Sequence, residues 1–424
     1  MKITKKLVSA VMVVSMMVML MAVNVFAADA TVAGEMTSEN FLAKKDATTN
    51  KITLTNDVKI TDKLSANGDL TIDLNGKTLT LTMSDNDVTG LYNVTIKNGT
   101  IDLTGTPAAG DGIIRIGKRS GNGGSLTLDS VVVKGENISS GAGTFCLYGS
   151  STLNVLNGSE INIKGEQGTK AYIIYCDDGV AATVNIEKSA INCVDGNSGI
   201  FNGVVTLKDS EFNMSGTTND NGINSYEGGM KLTIDNSDVT ISGCEGRALT
   251  LSDTEVEVKN GSVLSFSDCK EADILVRKTG EIGVDETSKI NFTADNVKMK
   301  DTSKTFTEVL KLANGVEYDP VTGTIACAHA NTEAKGAVEA ICTKEGCTGD
   351  IYCKTCGALV SANKVVEKRA HTYKDGKCIV CGAVDASYKV PATGDVNTFA
   401  GYMVLCVAAL GVVVVLKKRN SFAK

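Results

Sequence analysis

The feature that most constrains the fold is a repeat of short alternating segments between about residues 50 and 300. Within each segment apolar and polar residues alternate, which is the pattern of a β-strand with one buried side. The segments form three interleaved series, and each series returns about every 20 to 30 residues. The first series comprises 70–74, 94–96, 126–128, 153–155, 183–186, 205–207, 232–234 and 256–258; the second comprises 79–81, 101–103, 131–133, 161–163, 191–193, 212–214, 239–241 and 264–266; the third comprises 113–116, 145–147, 172–174, 199–201, 222–223, 248–251 and 274–276.

Three strands in a fixed order at this spacing predict a chain that coils rather than one that folds into hairpins. Hairpins would need an Asn-Gly or Asp-Gly turn between most pairs of strands, and such dipeptides are only occasional here. The pattern resembles the right-handed parallel β-helices of the pectin-lyase-like superfamily, with three strands per coil. An array of β-sandwiches is the alternative. We therefore expect an all-β chain in which residues 31–326 form a parallel β-helix with end caps.

Both ends of such a coil expose strand edges that need a cover. At the N-terminal end, Thr37 or Ser38 can cap a short helix that runs through 40–43. At the C-terminal end, residues 302–324 predict a closing structure. We expect 308–312 to belong to that closure rather than to a further coil.

The composition favours strands and tight turns and argues against one class of partner. The chain has no Trp, only 3 Pro and 43 Gly, and its apolar runs are separated by Gly, Asn, Asp and Ser. Its formal net charge is −7. No nucleic acid is therefore expected as a partner.

The N-terminus has the pattern of a secretory signal peptide over residues 1–27. Lys2, Lys5 and Lys6 form a positive region, and an apolar stretch follows over 7–26. Small residues then allow cleavage after Ala27 or Ala30. A retained membrane helix is the alternative interpretation.

The C-terminal residues 389–424 contain three elements in a fixed order. A short motif comes first, then an apolar span over 399–416, and then a basic tail over 417–424 that would hold the end inside the membrane. The motif is Val390, Pro391, Ala392, Thr393 and Gly394.

This order resembles the sorting signals of sortase-anchored surface proteins of Gram-positive bacteria. The resemblance implies cleavage between Thr393 and Gly394 and attachment of Thr393 to peptidoglycan, with the membrane as a stage before sorting. Val390 stands where that family usually has Leu. An ordinary transmembrane helix that anchors the chain is the alternative, and in both cases the body of the protein faces outward.

Residues 327–388 form a different module, rich in Cys and containing both histidines of the chain. Two Cys-x-x-Cys-Gly segments place pairs of thiolates where one tetrahedral ion could bind them. The candidate metal ligands are Cys327, His329, Cys342, Cys353, Cys356, His371, Cys378 and Cys381. Eight ligands divide into two closed sites, so the expected cofactor is structural zinc rather than catalytic zinc. A disulfide framework is the alternative for an exported chain.

The module resembles small zinc-ribbon-like repeats in surface proteins of anaerobic Gram-positive bacteria. Those repeats often carry an aromatic residue where Cys347 stands, so Cys347 is left out of the ligand set. The pairing stays open at this point. Cys327, His329, Cys353 and Cys356 make one plausible set, but Cys342 could replace Cys327.

The β-helix region carries no clear catalytic constellation. It has no His, which excludes Ser-His and Cys-His catalysis within it. Tyr148 and Tyr175, on neighbouring coils, are the best candidates for a contact patch with a ligand. Cys244 and Cys269 follow two second-series strands by the same offset, which predicts either a disulfide or two stacked, buried thiols.

These features predict a surface protein whose β-helix is a non-catalytic rod for display or adhesion. Its ligands would be glycans or proteins that meet the long face of the rod, and its location would be the cell wall. The alternative is a carbohydrate-active enzyme, a polysaccharide lyase or glycoside hydrolase of the pectin-lyase-like type. An enzyme would need carboxylates and a base that converge in one cleft.

Overall fold

The computed structural model describes residues 32–83, 89–105, 112–118, 123–138, 143–165, 172–177, 181–195, 198–216, 221–226 and 229–390. The expected signal peptide, motif residues 391–394, the apolar span over 399–416 and the basic tail all lie outside these residues. None of the helices in the described ranges is both long and apolar enough to cross a membrane. The chain divides into two compact units, Met1–Ala330 and Asn331–Lys424.

The first unit is a β-solenoid of about 9 turns. Its strands stack in parallel on three faces, which we call face 1, face 2 and face 3 in the order in which the chain visits them. The three longest strands, Ser65–Asp73, Thr89–Gly105 and Ser125–Ile138, bend around corners and serve more than one face.

Each of the other parallel strands belongs to one face. Face 1 contains Lys51–Thr53, Thr152–Leu156, Thr183–Glu187, Gly203–Lys208, Met230–Asp235, Thr254–Lys259, Gly280–Val284 and Leu310–Leu312. Face 2 contains Gly34–Met36, Val58–Ile60, Thr78–Met83, Glu160–Gly165, Ala190–Val194, Glu211–Ser215, Asp238–Ser242, Val263–Ser267 and Lys289–Asn291. Face 3 contains Ile114–Ile116, Gly143–Leu147, Tyr172–Cys176, Ser198–Phe201, Ile223–Asn224, Arg247–Leu251, Ala272–Val276 and Val297–Met299.

The pairing register confirms the three interleaved series read from the sequence. Val184 on face 1 pairs with Leu153 of the coil before it and with Val205 of the coil after it. All three side chains are buried, because alternate residues of every strand point into the shared interior. Parallel pairing from coil to coil excludes the antiparallel β-sandwich array.

The corner between faces 1 and 2 repeats one backbone solution in many coils. A residue there adopts a positive φ, as at Asn157 (55°), Asp209 (51°) and Asn236 (46°), a conformation that Asn and Asp tolerate better than most residues. A buried Ser follows in each of these coils. The Ser210 amide donates a hydrogen bond to Ser237 Oγ at 3.0 Å, so the serines form a ladder along the corner.

The N-terminal end closes as expected. The helix Ser38–Leu42 has Thr37 as its N-cap, and the Thr37 hydroxyl accepts a hydrogen bond from the Asn40 amide at 3.3 Å. Phe41 is fully buried. The helix therefore covers apolar surface at the start of the coil.

The C-terminal end differs from the expectation for residues 308–312. Leu310–Leu312 pairs in parallel with Ile282–Val284 and adds a further strand to face 1. The prediction that this segment is only a cap was therefore wrong, because its alternating leucines continue the inward pattern of the strand below. The closure is instead the antiparallel pair Val316–Asp319 and Thr324–Cys327, together with the 3₁₀ turns Ala294–Asn296 and Phe306–Val309.

The second unit consists of short antiparallel strands with very little core. Thr332–Lys335, Asp350–Cys353 and Leu359–Ser361 form a three-stranded sheet, Gly346–Cys347 pairs with Val365–Val366, and Tyr373–Lys374 pairs with Lys377–Cys378. Between residues 331 and 390 the buried apolar residues are Ala340, Cys353 and Cys378. A segment this small needs a further source of stability, such as disulfides or a metal.

Candidate metal centre

The two Cys-x-x-Cys-Gly segments have the same local structure. The Gly357 amide donates a hydrogen bond to the Cys353 carbonyl at 2.9 Å, and the Gly382 amide donates one to the Cys378 carbonyl at 2.9 Å. Both glycines have a positive φ, 74° and 76°, which is why glycine suits this position. Each turn brings its two cysteines to one side of a tight knuckle.

A hairpin positions His371 beside the second knuckle. Its strands Tyr373–Lys374 and Lys377–Cys378 are joined through Asp375 and Gly376, which both have positive φ, as a type I′ turn requires. The His371 ring stacks on Tyr373 with 5.6 Å between centroids. The hairpin thus links the position of the imidazole to that of Cys378.

Within the second unit the structure brings four of the eight candidate ligands together. They are Cys342, His371, Cys378 and Cys381, and their ligand atoms all lie within 4.8 Å of one another. We call this set the second group. The four candidates that remain, Cys327, His329, Cys353 and Cys356, are the first group, which is the first of the two pairings that the sequence left open.

The second group can be tested against the geometry of a tetrahedral ion. With Zn–S of ~2.3 Å and Zn–N of ~2.0 Å, the edges of the tetrahedron are roughly 3.8 Å between two sulfurs and roughly 3.5 Å between sulfur and nitrogen. Cys342 Sγ lies 3.7 Å from Cys378 Sγ. Cys381 Sγ lies 3.4 Å from His371 Nδ1. Both distances fit one shared ion.

The local electrostatics of this group favour a thiolate at Cys378. Hydrogen bonds from the Cys381 amide and from His371 lower the pKa of Cys378 to about 5. Burial, together with the neighbouring thiols Cys381 and Cys378, raises the pKa of Cys342 to about 11. Because the thiolate is the form that binds metal, Cys378 is the thiol best prepared for coordination.

Cys347 stands apart from both groups. Its Sγ donates a hydrogen bond to the Gly336 carbonyl at 3.4 Å. In the described ranges no disulfide joins any of the cysteines.

Val390, the first residue of the sorting motif, is 76% exposed.

Tyr148 and Tyr175, the candidates for a contact patch with a ligand, differ in their exposure to solvent. The Tyr148 ring is fully buried, with the Arg115 guanidinium carbon 5.8 Å from its centroid. Tyr175 is partly exposed and stacks on Phe201 with 5.0 Å between centroids. Burial and the neighbouring Asp177 raise the pKa of Tyr175 to about 12, so its hydroxyl stays neutral.

The sequence analysis missed the aromatic neighbours of Tyr175. Tyr172 and Phe201 both lie within 6 Å of it, centroid to centroid. Phe201 pairs in register with Tyr175 on the next coil. Comparing equivalent positions of the third series would have revealed this pair.

Cys244 and Cys269 are neighbouring buried thiols. A side-chain hydrogen bond with Cys244, together with burial, raises the pKa of Cys269. Of the two outcomes expected from the sequence, the structure has the stacked thiols and no disulfide.

When the chain is compared with protein-family models, with curated proteins and with solved structures, nothing matches it.

Proposed function

We propose that the chain is a cell-wall-anchored surface protein whose β-solenoid is a non-catalytic rod for display or adhesion. The observation that carries this proposal is the parallel stacking of strands on three faces over about 9 turns. Such stacking gives a stiff element with long, regular outer surfaces. We also propose that the coil is right-handed, because parallel crossovers are nearly always right-handed. Kinship with pectin-lyase-like proteins is a further part of the proposal.

The proposed attachment is through Thr393, after sortase cleaves before Gly394 and joins the chain to peptidoglycan. It is supported by the order of motif, apolar span and basic tail in the sequence. The signal peptide over 1–27 supplies the route out of the cell. The exposure of Val390 is compatible with access by a sortase.

The second unit in this proposal is a zinc-ribbon-like module stabilised by structural zinc. Its support is the fit of Cys342, His371, Cys378 and Cys381 to a tetrahedron and the near absence of a hydrophobic core. Four protein ligands leave no open position for a substrate. The metal would therefore contribute to folding and not to chemistry.

The enzyme alternative receives less support from the described residues. A glycoside hydrolase needs two carboxylates that face each other across the scissile bond. The cleft at the corner that follows face 3 is lined by Tyr226, Ser252, Arg277, Lys278 and Lys300. No carboxylate or imidazole is among those five residues.

An assay for binding and turnover distinguishes the two classes. The full-length chain in non-ionic detergent is applied to a glycan array and is incubated with polysaccharides while reducing ends and unsaturated products are measured. We expect binding without turnover, and heat-unfolded protein serves as the control for non-specific adsorption. Turnover of any polysaccharide by the folded protein would contradict the non-catalytic rod.

A further inference from the structure

One corner of the solenoid carries a column of polar and basic side chains. The pairs Asn224–Thr250, Leu251–Val276 and Val276–Met299 are in register on face 3. Tyr226 and Ser252 each lie two positions after the first pair, and Ser252, Arg277 and Lys300 each lie one position after a residue of the other two pairs. All four therefore occupy one corner position on four successive coils. The spacing between neighbouring coils is ~4.8 Å.

Backbone hydrogen bonds fix this column. The Arg277 amide donates to the Leu251 carbonyl at 2.8 Å, and the Lys300 amide donates to the Val276 carbonyl at 2.8 Å. The ladder thus continues through the corner beyond the ends of the strands. The positions of the side chains are set by the scaffold and not by a free loop.

The column and Lys278 line a small cleft of about 70 Å³ that opens to solvent. The guanidinium carbon of Arg277 lies 4.4 Å from the centroid of the Tyr226 ring. A cation over an aromatic face at this distance is attracted to it. The ring holds the guanidinium plane and leaves N–H donors at its edge for a ligand.

The cleft concentrates positive charge in a chain whose net charge is −7. Lys278 Nζ lies 3.6 Å from an oxygen of Asp253. Among the residues that the structure describes, no carboxylate comes within 4.0 Å of Arg277 or Lys300. Of the three cations that line the cleft, Lys278 is thus the one with a carboxylate partner among the described residues.

We propose that this cleft binds the phosphate monoester group of a phosphorylated glycan. The inference rests on the proposed function of the rod and names its ligand class. A phosphate monoester carries a charge of roughly −1.5 to −2 at pH 7 and three acceptor oxygens, which complements the local charge. Arg277 supplies paired donors to two oxygens, and Lys300 supplies a point charge.

The test uses matched small probes against the full-length chain in non-ionic detergent. Titration calorimetry compares glucose 6-phosphate, glucose 6-sulfate, glucuronate and glucose at one ionic strength. We expect glucose 6-phosphate to bind more tightly than the two monoanions, and glucose not to bind. Equal affinity for all four probes, or no binding of glucose 6-phosphate, overturns the proposal.

Point variants locate the binding to this cleft. Arg277→Gln and Lys300→Gln should each weaken binding of glucose 6-phosphate by about tenfold, because each removes a charged hydrogen-bond donor. Lys289→Gln, at an exposed position on face 2, removes the same charge and should leave affinity unchanged. An equal loss in all three variants would show a general attraction of anions and would overturn the site.

Tyr226 is a positioning residue in this scheme. Tyr226→Phe retains the ring and should keep affinity, whereas Tyr226→Ala should reduce it by several fold. If Tyr226→Phe loses as much affinity as Tyr226→Ala, the role assigned to the ring is wrong. Circular dichroism confirms that each variant keeps its strands.

The outcome separates this inference from the proposed function. If the chain is linked to the wall but does not bind phosphate esters, only the proposed phosphate site in the cleft is refuted. A chain that binds them through Arg277 but is absent from the wall fraction refutes only the anchoring.

Discussion

At the residue scale, side chains at the corner between faces 1 and 2 form hydrogen bonds with backbone amides and carbonyls that have no strand partner there. Ser210 Oγ accepts a hydrogen bond from the Ser189 amide at 3.2 Å. Its one proton is shared between the Lys208 carbonyl at 2.7 Å and the Ile186 carbonyl at 3.1 Å. Ser210 is buried, so water cannot take over these bonds. The hydroxyl therefore bonds to backbone groups of three different residues.

Ser210→Ala should lower the free energy of unfolding by about 1–3 kcal/mol, because it leaves buried backbone groups without partners. Urea unfolding followed by circular dichroism measures the loss. Ser215→Ala is the matched control, since Ser215 lies on the adjacent strand and is exposed. An equal, small effect of both changes would contradict the ladder.

Asp73 shows how an ionised side chain joins neighbouring coils. Lys51 Nζ lies 2.9 Å from one of its oxygens, and Asn98 Nδ2 donates to the other at 3.1 Å. Burial alone would raise the pKa of Asp73, but the bonds from Lys51 and Asn98 outweigh it and lower the pKa below 3.8. A lowered folded-state pKa stabilises the fold above the unfolded pKa, and this contribution is lost as pH falls through the folded value.

Asp73→Asn should therefore reduce the free energy of unfolding by about 1 kcal/mol at pH 7. The difference from the parent should shrink as pH falls below about 4. Urea titrations at pH 7 and at acidic pH check both statements, with Asp268→Asn at an exposed site as control. A difference that stays constant with pH would contradict the assigned charge.

The sequence pattern predicted which strand residues point into the interior, but it did not predict the hydrogen-bonded serines at the corner between faces 1 and 2. Alternation places Val184 inside because the strand period is two, and this needs no knowledge of neighbouring coils. The role of Ser210 depends on Ile186 and Ser189, which reach it only through the register of stacked coils. Asn, Asp and Ser are common in turns of every kind, so their presence in the sequence does not by itself predict a buried ladder.

At the element scale, the knuckle is the unit that brings the candidate metal ligands together. Cys378 and Cys381 belong to one knuckle, while Cys342 and His371 come from elsewhere in the second unit. If an ion holds these elements together, losing one ligand should release it and loosen the unit.

Cys381→Ala should lower the zinc content from two ions per chain to one, in line with the two ligand groups. Elemental analysis by mass spectrometry gives the stoichiometry, and hydrogen exchange should show faster exchange of the Cys378 and Gly382 amides. Cys347→Ala, outside both groups, should keep two ions. A Cys381→Ala protein that still holds two ions would contradict the ligand assignment.

The spacing of the knuckles predicted a set of candidate ligands but not how they group. Cys-x-x-Cys-Gly fixes a local turn, whereas Cys327 and Cys342 lie far from either knuckle in sequence. Their assignment depends on how the chain folds back. The same limit explains Leu310–Leu312, where alternation was present but the parallel partner could not be identified from the sequence.

At the scale of the whole molecule, we propose that the chain is exported, that its first unit forms a rod and that its C-terminal end is attached to the cell wall. In a solenoid each coil contacts chiefly its neighbours, so stability comes from successive interfaces rather than from one central core. Such a unit suits presentation of a long surface away from a cell. The proposed role in display or adhesion therefore requires that the protein be located at the cell wall.

The most direct test is mass spectrometry of the cell-wall fraction after muramidase digestion. We predict a C-terminal peptide that ends at Thr393 and carries a peptidoglycan cross-bridge, with no peptide from 399–416 in that fraction. A Thr393→Ala chain, which removes the joining residue, should be lost from the wall fraction. Recovery of the intact chain from cytosol, with residues 1–27 and 399–424 still attached, would contradict the account.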